Sequence, residues 1–79
     1  MVTAYASADG KWKIAVYGRD HGVPHFHVVG PEFDCAVSIA GLRPIVGRAP
    51  KKVLSAALAW AARPANRSAL LKLWKDQNR

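Results

Sequence analysis

The sequence predicts an α+β fold: a three- to four-stranded antiparallel meander followed by two helices packed on one sheet face. Three observations carry this. Apolar and polar residues alternate with a period of two as far as Val46. Gly- and Pro-containing turns punctuate the alternation at regular intervals. From Pro50 onward the apolar residues recur at helical spacing instead. With 79 residues the chain is one domain, its strands over about 2–46 and its helical pair over about 50–77. A chain this short buries only about 60–65% of its unfolded surface, so the core must be small.

Met1 to Ser7 serves as a lead-in strand, and Ala8-Asp9-Gly10 then turns the chain, because Asp-Gly supplies the positive φ of a tight turn. Lys11 to Gly18 alternates strictly, with Trp12, Ile14 and Val16 on one face and Lys13, Ala15 and Tyr17 on the other. Arg19 to Pro24 is a loop. His25 to Val29 is the next strand, followed by a turn at Gly30-Pro31-Glu32. Phe33 to Ile39 is a third strand, placing Phe33, Cys35, Val37 and Ile39 on one face. Arg43 to Val46 makes a short fourth strand, and Pro44 assigns it to an edge. Pro50 suits the first turn of a helix that carries Val53, Leu54, Ala57, Leu58 and Ala61 on one side. Arg63-Pro64 interrupts it, since proline cannot continue a helix without losing a hydrogen bond. Asn66 is then expected to cap a second helix with Leu70, Leu71 and Trp74 inward.

The net charge of +7 is unevenly placed. Residues 1–47 balance to zero, while Arg48, Lys51, Lys52, Arg63, Arg67, Lys72, Lys75 and Arg79 face Asp76 alone. Such asymmetry favours a polyanionic partner, RNA or another nucleic acid, or an acidic protein; a solvated face that only aids solubility is the plainer alternative. Arg48, Lys51 and Lys52 crowd the start of the first helix, where each cation costs about 0.3–1 kcal/mol and where a phosphate is welcome. Lys72, Lys75 and Arg79 form a stripe opposite Leu70, Leu71 and Trp74, fit to follow a phosphate backbone. Trp12, Trp60 and Trp74 each fall on an apolar face and are expected in the core. The single cysteine, Cys35, excludes an internal disulfide framework and is expected as a small buried hydrophobe. No signal pattern or apolar run long enough to span a bilayer is found, so a soluble cytoplasmic protein without membrane contact is expected. A small core and an open sheet edge make a homodimer a further expectation.

All three histidines lie between Tyr17 and Val28. Residues two apart on a strand share a face, so His25 and His27 project together, while Phe26 points the opposite way, toward the core. Pro24 stiffens the loop that delivers His25, and Asp20 adjoins His21. Three chemistries fit. His25 and His27 can act as base and acid on RNA, supported by His21 and Asp20, with Arg19 or the helix cations on the phosphate. His21, His25 and His27 with Asp20 can ligate zinc with one position open. The third is structural, with the imidazoles bracing a turn.

Tyr17, Asp20-His21, Pro24 and His25-Phe26-His27-Val28, with Trp60, Asn66-Arg67, Leu70-Leu71 and Trp74 farther on, resemble a family of small bacterial proteins known as domain of unknown function 4160. Val23 stands where that pattern has a first proline, two extra residues fall around Arg63-Pro64, and Ala69 replaces a glutamate that would complete a capping box with Asn66. The family has no established activity. Its members often occur beside a second small protein, so the resemblance implies a toxin–antitoxin arrangement with this chain as the toxin-like or partner-binding component.

The combined expectation is a small basic RNA-binding protein, a toxin-type ribonuclease in its sharper form. In it the histidines and Arg19, Arg48, Lys51, Lys52, Lys72, Lys75 and Arg79 open onto one shared groove. No cofactor is expected. The alternatives are a non-enzymatic module that docks an acidic, antitoxin-like protein, and a histidine-ligated metal-binding domain.

Overall fold

The computed structural model describes all residues, Met1–Arg79. Five antiparallel strands, β1 (Val2–Ala6), β2 (Lys13–Val16), β3 (His25–Gly30), β4 (Phe33–Ser38) and β5 (Pro44–Arg48), form one sheet in sequence order. Helices α1 (Lys51–Ala62) and α2 (Pro64–Gln77) follow. The strand count exceeds the expected three to four because the lead-in strand pairs with β2 from Val2 opposite Val16 to Ala6 opposite Lys13, with a register shift at Ala4. Tyr5 fastens it by stacking on Trp60, with ring centroids 5.0 Å apart, and by meeting Trp12 at 5.8 Å.

The first turn is built as its residues suggest. Asp9 Oδ1 accepts from the Ser7 hydroxyl at 2.7 Å and the Lys11 N–H at 3.0 Å, and Gly10 supplies φ 71°. The core fills the sheet face that the alternation marks. Ile14, Val16, Phe26, Val28, Cys35, Val37 and Ile39 pack against Ala57 and Ala61 of α1 and Leu70 and Trp74 of α2. Cys35 is buried there, and burial followed by the charge of Asp34 pushes its thiol up, which suits a packing role.

At the other edge, Pro44 starts β5, as a proline on an edge strand can. An extra residue at Ile45 shifts the β4–β5 register between Ala36 and Val37. Gly47 then has φ 83°, and a Cβ there would run into the Asp34 carbonyl oxygen, so only glycine fits.

The junction of the helices differs from the expectation at Asn66. Pro64 is compatible with the first helical turn, so α2 begins there with Arg63 as its N-cap residue. Asn66 is already inside the helix, and its amide turns back to donate to the Trp60 carbonyl at the end of α1, 3.0 Å away. Arg67 is likewise structural. Its Nε donates to the Ile39 carbonyl at 3.0 Å and its Nη2 to the Ala40 carbonyl, tying α2 to the end of β4. No helix is long and apolar enough to cross a membrane.

Candidate functional site

The same alternation that buries Phe26 and Val28 sends His27 to the sheet face away from the helices. Its neighbours there are small or polar: Ala15 lies opposite it on β2, Ala36 on β4, and Tyr17 and Asp34 nearby. His25, the first residue of β3, is 8% exposed and lies at the end of the sheet, with its ring 4.7 Å from that of Trp74. The His25 and His27 rings stand 5.2 Å apart, edge to face.

Asp20 joins the two. Its Oδ2 lies 2.8 Å from Nε2 of His25 and 3.4 Å from Nε2 of His27. The other ring nitrogens are also engaged. Nδ1 of His25 donates to the Val23 carbonyl at 2.8 Å, since a carbonyl can only accept. Nδ1 of His27 meets the Asp34 carboxylate at 2.9 Å.

The loop that presents Asp20 is held from two sides. Arg19 adopts φ 56°, a left-handed conformation costly for a residue with a side chain. The Asp20 N–H donates to Asn78 Oδ1 at 2.7 Å, while the Asn78 amide donates to the carbonyls of Tyr17 and Trp74 at 3.1 and 3.0 Å. The end of α2 thus clamps the loop.

Electrostatics follow this geometry. Burial pulls the Asp20 carboxyl upward, but the hydrogen bond from His27 and the charge and hydrogen bond of His25 outweigh it, and the group rests below its ordinary value. Burial first, then the charges of Asp34 and Asp20, push the Tyr17 phenol up, so it stays neutral beside His27.

A cavity of about 270 Å³ adjoins the cluster and extends past His21 and Val23 to Ala36, Ile45 and Val46. His21 is exposed at its rim, and only its backbone N–H touches Asp20, at 3.3 Å. Asp20, His25 and His27 therefore come together as expected, whereas His21 stands apart from their donor atoms. No Lys or Arg lines the cavity. Lys51, Lys52, Lys72 and Lys75 are carried by the helices packed on the other face, Arg79 follows Asn78 beyond the end of α2, and Arg48 and Arg19 are exposed outside the cavity. The expected shared groove does not form, because the helices cover the face opposite the one His27 points to.

Asp34, Tyr17, the Val23 carbonyl and Asn78 were not among the expected site residues. Two carried a readable signal: alternation puts Tyr17 on the face of Ala15, which lies opposite His27, and a two-residue turn at Pro31-Glu32 pairs Val29 with Asp34 and puts Asp34 on the His27 face.

The sequence profile of a family described as Domain of unknown function (DUF4160) matches residues 12–75. The match takes in the histidine strand, all of α1 and α2 as far as Lys75, and leaves β1 and the Asn78 clamp outside. The chain belongs to this family. No curated protein and no solved structure matches it.

Proposed function

We propose that this chain is a small nucleic-acid-binding protein that holds single-stranded RNA along the outer side of its helix layer. The carrying observation is a group of unpaired cations on the exposed side of the helix layer. Lys51, Lys52, Lys72 and Lys75 are exposed and have no acidic partner, and Arg79 meets only Asp76, at 3.8 Å. The start of α1 adds to this, with two lysines, no acid in its first turn and no side-chain cap on its free N–H groups. Cleavage by His25 and His27 has less support: every ring nitrogen faces an acceptor of the protein, and no Lys or Arg lines the cavity beside the rings to receive a phosphate.

Fluorescence anisotropy with a short single-stranded RNA tests the reading. Binding should weaken steeply with salt, log K falling with log[salt] at a slope of about −0.7 for each phosphate neutralised. A salt-insensitive complex, or no complex at low salt, contradicts it.

A second reading, docking of an acidic antitoxin-like protein, draws on a separate observation. All of β5 is exposed, with Ile45 and Val46 51% and 66% accessible, and Arg43 and Arg48 bracket the strand. An acidic partner adding a strand at this edge would cover the apolar residues and meet both arginines. Copurification of a stoichiometric acidic protein that masks RNA binding supports this reading; recovery of the chain alone removes it.

A further inference from the structure

We propose that Asp20, His25 and His27 form a three-ligand site for one divalent transition-metal ion, zinc by its donor set, with the remaining coordination position open to the adjacent cavity.

Four observations converge. The donor set is two imidazoles and a carboxylate, the composition of catalytic zinc centres and of the two-histidine, one-carboxylate iron sites. One ligand atom from each of the three residues lies within 4.8 Å of the other two, and both Nε2 atoms face Asp20 Oδ2. Zinc–ligand bonds of about 2.0–2.1 Å place tetrahedral ligand atoms about 3.3 Å apart, close to the 2.8 and 3.4 Å already present.

The ring nitrogens turned away from this point are fixed as metal-ligating histidines require. Nδ1 of His25 donates to the Val23 carbonyl, and Nδ1 of His27 is held by the Asp34 carboxylate. With Nδ1 carrying the proton, each Nε2 directs a lone pair at the shared point beside Asp20. An ion there takes the place of the proton that otherwise bridges each imidazole to Asp20.

The ligands are also held rigidly. Asn78 and the left-handed Arg19 fix the Asp20 loop, Trp74 packs on His25, and Tyr17 lies 4.3 Å from the His27 ring. Cys35 lies on the opposite face, in the core, and His21 lies off the cluster. Three protein ligands therefore leave a position for water or a small ligand, facing the cavity along Val23, Ile45 and Val46.

The test uses the full chain without a histidine tag, stripped with chelator, titrated with Zn²⁺ by calorimetry and with Co²⁺ by visible absorption. One ion per chain is expected, with the intense visible bands of low-coordinate Co²⁺. Asp20→Asn and His27→Gln should each weaken binding more than about 100-fold, and Asp34→Ala, which removes only the support of His27, by about 10- to 100-fold. Circular dichroism checks that each variant is folded. The titration of the unsubstituted chain decides the matter even where a variant does not fold. The pale spectrum of hydrated Co²⁺ with no heat from Zn²⁺, or binding that survives both Asp20→Asn and His27→Gln, overturns the site and leaves the cluster as a hydrogen-bonded brace.

Discussion

The two faces of the sheet are built from the same strands and differ in almost everything else. On one, Ile14, Val16, Phe26, Val28 and Val37 are wholly buried under the helices. On the other, Ala15 and Ala36 are small, and the space above them is taken by His27, Asp34 and Tyr17 with the cavity alongside. Phe26 and His27 are neighbours in sequence, yet one anchors the core and the other points into a site. The difference teaches that a chain with a small core can keep stability and chemistry apart through the period of the strand alone. Lys51, Lys52, Lys72 and Lys75 extend the division, because they ride on the layer that covers the core, whereas Lys13 and Arg48 stay on the strands.

Substitutions can break or sharpen that division. The largest effect is expected for Phe26→Ala, which empties the centre of the covered face and should cost about 3–5 kcal/mol in urea unfolding. His27→Gln, one residue on, should cost about 1 kcal/mol, the value of a lost hydrogen bond, in the same measurement. Equal costs would erase the distinction between the faces. Gly47→Ala should cost about 1–3 kcal/mol through backbone strain at φ 83° and collision with the Asp34 carbonyl, read as a lower unfolding midpoint. Asn78→Ala removes the three hydrogen bonds of the clamp and should cost about 1–2 kcal/mol, with faster hydrogen exchange at the Asp20 amide as its local signature.

The smallest effect is expected at Asp9, far from both faces. The Ser7 hydroxyl and then the Lys11 N–H hold its carboxyl below the usual carboxylate value. A folded-state value below the unfolded one means that the stabilisation is present at neutral pH and is lost as pH falls through and below about 4. Thermal melts should therefore show Asp9→Ala slightly less stable at neutral pH and the gap closing in acid. A gap that widens in acid would reverse the sign.

Much of this arrangement was legible in the residues, and the failures share a physical cause. Strict alternation located β2 to β4 and placed His25 and His27 beside one another, because side-chain direction on a strand depends only on spacing. Asn66 was misread because a capping residue and a proline at the first helical turn compete for the same boundary, and Pro64 lies nearer to α1. Arg67 looked like one more surface cation, and only its path to the Ile39 and Ala40 carbonyls reveals it as a tie. The Val23 and Asn78 contacts depend on how a loop and a helix end meet, which no local pattern encodes. The shared groove failed for the same reason: charge asymmetry along a chain says how much positive charge the helices carry, not which sheet face they cover.

The most direct measurement compares RNA binding across salt for Lys72→Gln/Lys75→Gln/Arg79→Gln and for His27→Gln. With the phosphate chain on the helix layer, the triple variant should bind more weakly and lose about 2 units of salt slope, while His27→Gln keeps the slope of the unsubstituted chain. A triple variant with an undiminished slope, or a loss confined to His27→Gln, would contradict the division of labour between the two faces.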